Sequence, residues 1–313
     1  MRKIFKKIIV LFLHYSGLNW LLRYFLSKRV FCIGYHSVWS EKSKEEFSQK
    51  LYWNISVSSG DFEKQIIFLK NNGHSFIHFS DLKNSNVRNK RKPTVIFFDD
   101  GFRDVIENVL PILKKYNIPA TIFITTGLID RTHFLWTIAV RYFLYKQGTG
   151  PSEIESKIKE LKKLAISERE EKISKMFKGG NFVSNPGDFN VFLSWPEIKM
   201  LSENNFEIGS HATSHQKLTE LSEEELKTEL WDSKKTLKEK TGKSIEIISY
   251  PYGRHNTKVI EEAQKAGYTL GLSTLAGSNS FDYIAKNPFK IKRINPEEDK
   301  ALMDFKVRLY TGI

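Results

Sequence analysis

Short apolar runs, each ending in a polar cluster and followed by a helical stretch, recur along the chain and restrict it to α/β folds. FCIGY, TVIFF, ATIFI, FEIGS, IEIIS, YTLGLS and FKIKRI have the β-branched and aromatic content of strands. Helices fall between them. SSGDFEKQIIFLKNNGH places Asp61 at an N-cap, Phe62, Ile66 and Leu69 on one face, and Gly73 at the stop. VIENVLPILKKYN, SWPEIKMLSENN with Pro196 in its first turn, LSEEELKTELWDSKKTLKEKTG and NTKVIEEAQKAG follow the same logic. A βαβ succession predicts parallel strands joined by right-handed crossovers. A parallel barrel and a doubly wound sheet both satisfy it, and in both the ligand sits at the carboxyl ends of the strands.

The rhythm breaks between about 134 and 180, where FLWTIAVRYFLYK and SEIESKIKELKKLAISEREEKISKMFKG are helical, charged and poor in strand formers. This stretch reads as a helical insertion, and GGNFVSNPGDFN after it as a loop. No Pro- or Ser-rich linker divides the remainder, so residues 29–313 are expected to form one domain behind a distinct segment, 1–28.

That first segment, MRKIFKKIIVLFLHYSGLNWLLRYFLSK, is basic and apolar. Its apolar run is broken at His14 to Gly17, at Asn19 and at Arg23, short of the roughly 20 residues a spanning helix needs. No A-x-A cleavage pattern follows. The expectation is an N-terminal helix that packs on the body or makes peripheral membrane contact. The chain would then be cytoplasmic or peripheral at the membrane, with secretion left open. Formal charge is +13 and the isoelectric point about 9.5, but the lysines alternate with glutamates, as in EKSKEE and LKEKTGK. Such patterning belongs to solvated helical faces, and with no zinc-finger or RNA-recognition signature no nucleic-acid partner is expected.

The strand ends carry the chemistry. His36 follows FCIGY, Asp99 and Asp100 follow VIFF, His211 and His215 follow FEIGS, and Pro251, Tyr252 and Gly253 follow IEIIS. Cys32 is the single cysteine, so a metal would be held by His, Asp or Glu. His211 and His215 are four apart and can point the same way; Asp100 supplies a third ligand and leaves a coordination position open. Zinc suits that set, with cobalt, nickel or iron as alternatives. A bound cation would relieve the repulsion between the adjacent acids, leaving Asp99 to act as a base, while Gly101 allows the sharp turn behind them.

FFDDGF, SHATSH and YPYG, in that order, resemble the motifs of the polysaccharide deacetylase (NodB-like) family, carbohydrate esterase family four. CIGYHSV resembles the YH segment of the poly-N-acetylglucosamine deacetylase branch. The resemblance implies a distorted parallel (β/α) barrel and metal-dependent removal of an N-acetyl group from an amino sugar, in an N-acetylated glycan or glycolipid. It makes Asp99 the catalytic base, Asp100, His211 and His215 the metal ligands, and the Tyr252 N–H the oxyanion donor.

Two departures reassign roles. The chain has no His after His255 and so lacks the family's usual Leu-x-His acid, which leaves His36 as the candidate acid. Glu246 stands where many members carry the arginine that orients the base. Arg293, ahead of Arg103 and Arg254, is the expected replacement. Trp195 and Tyr252 offer flat faces for sugar binding. An O-acetyl esterase or other amide hydrolase on the same metal site, or a weakly catalytic glycan-binding homologue, are the alternative functions.

Overall fold

The computed structural model describes residues 27–40, 55–130, 135–177, 191–297, 299 and 301–311. The barrel strands are β1 (Phe31–Tyr35), β5 (Pro93–Phe98), β6 (Ala120–Ile124), β7 (Phe206–Ser210), β8 (Ile247–Ser249), β9 (Leu270–Ala276) and β10 (Ile291–Arg293), hydrogen-bonded in that order and all parallel. Short strands β2 (Ser37–Trp39) and β3 (Ser56–Ser58) pair with one another, and β4 (Ser75–Phe76) adds to the start of β5. The ring is drawn together where Gly34 N–H donates to Ile294 O at 2.9 Å and Ile294 N–H donates to Cys32 O at 2.8 Å. Of the two architectures open to the sequence, the barrel is the one formed.

The inner layer is a set of rings packed over glycines. Phe97 and Phe123 meet edge to face at 5.6 Å, and each lies where a neighbouring strand has no side chain. A Cβ on Gly34 would come within 2.3 Å of the Phe97 ring, and one on Gly209 within 2.4 Å of Phe123. Because strand side chains alternate, residues two apart share a face. Cys32, Val95, Phe97, Phe123, Ile247, Leu272 and Ile291 form the inner cluster, while Phe31, Ile33, Ile96, Phe98 and Ile122 pack outward under the helices.

Helix α1 (Ser59–Asn71) is capped by Ser58, not by the expected Asp61: Ser58 Oγ accepts from the Asp61 N–H at 3.0 Å and donates to its carboxylate at 2.8 Å. The expected helix at VIENVLPILKKYN divides into a π-helical turn, Val105–Val109, and α2 (Leu110–Tyr116). Pro111 has no N–H to continue the α ladder, which accounts for the break. A short α3 (Thr126–Ile129) follows β6.

The insertion consists of α4 (Trp136–Lys146), α5 (Pro151–Lys162) and α6 (Ile166–Phe177). Its small core is Val140, Ile154, Ile158, Leu161 and Ile173, the apolar positions of helices that are otherwise charged. Then come α7 (Trp195–Glu203), with Pro196 in its first turn and a Ser194–Glu197 capping box, and α8 (Glu223–Thr241), α9 (Thr257–Lys265), α10 (Phe281–Lys286) and α11 (Leu302–Thr311). The N-terminal segment expected over 1–28 lies outside the described residues except for its last two, as does the whole of the expected loop GGNFVSNPGDFN. No helix among the described residues is long and apolar enough to cross a membrane.

Candidate active site

The inward faces of the strands end in polar residues at one mouth of the barrel. His36 follows Cys32 and Gly34 at the alternate positions of β1, Asp99 follows Val95 and Phe97 of β5, His211 follows Gly209 of β7, and Arg293 follows Ile291 of β10. All four line one cleft, together with Asp100, His215, Tyr250 and Tyr252. Asp100 would point outward by strand parity. Instead it adopts φ 72°, followed by Gly101 at φ 88°, which swings its carboxylate back toward the histidines. At Gly101 a Cβ would also sit 3.2 Å from Ile124 Cδ1.

Ala212 and His215 also take positive φ, 61° and 59°, so SHATSH is a coiled loop and not a helical turn. Glu229 of α8 holds it, accepting from the N–H groups of Thr213 at 2.8 Å and Ser214 at 3.0 Å and from the Ser214 hydroxyl. The result places His211 Nε2 3.3 Å and His215 Nε2 3.2 Å from Asp100 Oδ1.

These three residues fit a divalent metal. Their ligand atoms lie within 4.8 Å of one another. Asp100 Oδ1 is buried and receives no hydrogen bond, so both imidazole nitrogens face an oxygen to which they do not donate. The backbone carbonyl of Ser249 lies 2.6 Å from His211 Nδ1, and a carbonyl only accepts. Nδ1 therefore carries the proton and Nε2 presents its lone pair, the tautomer a metal requires.

Asp99 has different company. Arg293 Nη1 donates to its Oδ2 at 2.6 Å, while Oδ1 is buried with no hydrogen-bond partner. Burial works against the charge of Asp99, and Arg293 chiefly, with His36, reverses that effect and keeps it an anion. The guanidinium carbon stands 5.7 Å from the centre of the Phe97 ring beneath, so the innermost apolar layer is also the floor of the ion pair. From β1, the strand between theirs, His36 Nε2 comes 3.9 Å from Asp99 Oδ2, and its Nδ1 is 2.6 Å from Glu297. Glu297 also accepts from the His36 backbone N–H at 2.5 Å. Burial disfavours the imidazolium, but Glu297 more than compensates, raising the pKa of His36 to about 9.

Tyr252 sits at φ 57° in the 3₁₀ turn after β8, its ring 4.8 Å from that of His215. The N–H groups of Gly253 and Arg254 are used within that turn, donating to Tyr250 O and Pro251 O, whereas that of Tyr252 makes neither bond. Trp195, expected to bind sugar, is not brought to the cleft. Its indole N–H donates to Asp130 at 2.6 Å and Lys240 covers its ring at 5.7 Å, because the capped start of α7 fixes it on the outer layer. Arg103 is likewise engaged elsewhere, by Glu197 at 2.9 Å, Arg254 is exposed, and Glu246 pairs with Lys83.

The family model described as polysaccharide deacetylase matches residues 86–271. The poly-β-1,6-N-acetyl-D-glucosamine N-deacetylase of Staphylococcus aureus is 31% identical over 241 residues, covering 75% of this chain and 68% of that protein. The chain belongs to the polysaccharide deacetylase family. Bacillus subtilis YxkH is 26% identical over 251 residues, covering 79% of this chain; the chain spans 65% of the length of YxkH. Among solved structures, the Streptococcus pyogenes deacetylase PplD, in complex with acetate, superposes with a TM-score of 0.62 at 19% identity, covering 90% of this chain and 97% of PplD. IcaB from Ammonifex degensii gives 0.57 at 16% identity, covering 88% and 97%. At those identities the likeness is one of fold, a NodB-like deacetylase barrel.

His36, Arg293 and Glu297 lie outside the matched span, yet the barrel brings His36 and Arg293 into the cleft and sets Glu297 against His36. Glu297 was missed by sequence reasoning. The NPEED cluster just after the last strand was the available signal, since it obeys the same strand-end rule that selected the others. Asp104 was also missed. Its Oδ2 accepts from the Ser37 hydroxyl and from the Val38 N–H at 3.0 Å, tying the DDGF turn to the residues just after His36. Burial pushes its pKa up to about 7. Nothing in the sequence marks Glu229, which acts from the middle of a helix. The cleft wall formed by Leu135, Thr137, Ile138, Arg141 and Lys162 of the insertion was equally hidden.

Proposed function

We propose that the protein is a metal-dependent hydrolase that removes the acetyl group from the nitrogen of an amino sugar within a glycan. The observation that carries this reading is the division of labour in one cleft. A His–His–Asp set fitted to a metal stands beside a carboxylate held by an arginine, and facing that carboxylate is a histidine held by a glutamate. A divalent ion on Asp100, His211 and His215, zinc by ligand type, would supply Lewis acidity, making water acidic and a carbonyl electrophilic at neutral pH.

The chain's own groups do the rest. Asp99, kept anionic by Arg293, accepts the proton of the attacking water. The Tyr252 N–H, at the left-handed turn beside His215, donates to the carbonyl oxygen as negative charge develops there. An amine leaves poorly as an anion, so the departing nitrogen must be protonated. His36 Nε2 gives it that proton, while Glu297 fixes the ring through Nδ1. Asp99 and His36 thus serve as base and acid from neighbouring strand ends, with opposite protonation at the start of the cycle.

The family membership and the named staphylococcal relative support an N-acetylated glycan as the substrate. The test is acetate release from N-acetylglucosamine oligomers, compared with O-acetylated xylan, by the metal-replete protein and by Asp99→Asn. Release from the oligomers alone, lost in Asp99→Asn with metal still bound, is expected. Faster release from the xylan ester would overturn the N-deacetylase assignment in favour of an esterase.

A further inference from the structure

The reaction described above uses the barrel end of the cleft and makes no use of its outer wall. That wall comes from the insertion, and its charged groups are cationic. Arg141 on α4 is buried, lines the cleft, and pairs with Glu155 of α5, which is not part of the lining. Lys162, the last residue of α5, also lines the cleft and has no ion-pair partner among the described residues. Burial, and next the charge of Arg141, hold its ammonium below the ordinary lysine range, against the pull of Glu155. Behind them Arg169 of α6 is buried with its guanidinium 5.0 Å from the centre of the Trp136 ring, and its Nε has no partner. Arg169 is near enough to Tyr252 to oppose the effect of burial on that phenol.

The charges that line the cleft do not balance. Arg293 is matched by Asp99, Arg141 by Glu155, and Asp100 belongs with the metal-ligand histidines. Among the described residues Lys162 is left over, and the wall adds no carboxylate to the lining. A neutral N-acetylated sugar gains little from such a cation, and the amine released from it becomes an ammonium that the wall repels. A sugar carrying a negative oxygen group next to its acetamide would gain from the same arrangement.

We propose that the insertion forms an anion-recognition wall and that the preferred substrate is an N-acetylated amino sugar bearing a phosphate or carboxylate, held by Lys162 with Arg141 behind it. This rests on the deacetylase reading for the position of the acetamide. It assigns Lys162 a specificity role with no part in bond breaking. The anion would sit on the insertion side of the cleft, across from His36.

Binding can be measured without turnover by calorimetry on full-length, metal-replete Asp99→Asn protein. The probes are N-acetylglucosamine, N-acetylglucosamine 1-phosphate, and an N-acetylglucosaminyl-glucuronate disaccharide. At least one anionic probe should bind about tenfold more tightly than the neutral sugar, and which one does identifies the group. The preference should shrink at high ionic strength and vanish when Lys162→Gln is added, with the affinity for the neutral sugar unchanged; adding Lys162→Glu instead should invert it. Equal affinities for all three probes would overturn the proposal. So would a preference that survives both Lys162 variants, since the anion would then be held elsewhere, on the metal for instance. A wild-type protein that releases no acetate from any glycan would count against the deacetylase reading and leave this binding result to be judged by itself.

Discussion

Arg293 and Asp99 are 194 residues apart in the chain and meet at 2.6 Å, Nη1 to Oδ2, across the mouth of the barrel. They come together because each ends the inward face of its strand, β10 for one and β5 for the other. Their pairing makes a buried carboxylate tolerable. Replacing Arg293 by Met leaves an uncompensated buried charge, which should cost about 3–5 kcal/mol of stability. Acetate release should fall at least about a hundredfold, because the base loses its orientation. Denaturant titration and initial rates read the two effects separately, and a fully active, fully stable Arg293→Met protein would count against the assignment.

Glu297 acts on the reaction through His36. The pKa of His36, about 9, lies above its ordinary value of 6.5, so the acid form is present at neutral pH and is lost as pH rises through about 9. The same sign holds for stability: the contribution of the pair is complete below 6.5 and disappears over the interval up to about 9. Glu297→Gln should therefore move the alkaline limb of the rate profile toward lower pH. His36→Gln should slow the reaction by about 10²–10⁴-fold without that limb. A profile unchanged in Glu297→Gln would exclude His36 as the acid.

Metal dependence should follow from the ligand set. A chelator is expected to abolish acetate release, with recovery on adding zinc or cobalt. Asp100→Asn should weaken metal retention by at least about tenfold, as measured by elemental analysis after dialysis. Full activity in protein shown to be free of metal would refute this.

A second pH effect lies on the far side of the barrel from this chemistry. His74 is buried against Phe31 and Thr94, its Nδ1 2.7 Å from the threonine hydroxyl, and burial together with Lys92 and Arg91 lowers its pKa to about 3. The unfolded chain binds this proton below 6.5 and the folded chain only near 3, so stability should fall as pH drops through that interval. His74→Phe should flatten that part of the stability curve, as read by thermal melts between pH 7 and 4.

Gly34 tests the inner layer. A methyl group there would meet the Phe97 ring at 2.3 Å, so Gly34→Ala should destabilise the barrel by about 1–3 kcal/mol. Because Phe97 also lies under Arg293, activity should fall with stability. A variant as stable as the parent would show that the ring can move aside.

Strand-end position selected in advance most of the polar residues that the barrel gathers in one cleft, and strand parity accounts for four of them. His36, Asp99, His211 and Arg293 are each two residues beyond an inward apolar or glycine position, a relation set by the period of a β-strand and visible in FCIGYH, VIFFD, FEIGSH and FKIKR. The βαβ alternation likewise determined that the strands run parallel and that the polar ends gather at one face. The choice of a closed barrel over an open sheet depended on Ile294 reaching β1, a contact between distant segments that no local pattern encodes. Tertiary structure also decided matters of reach. The left-handed turn at Asp100 reversed the direction parity would give it, and α8 delivered Glu229 to the histidine loop. The cap of α7 turned Trp195 away, and the insertion folded its own small core so that Arg141 and Lys162 became a wall of the cleft. Periodicity specifies which face a side chain leaves by; only packing of the whole chain specifies what it meets.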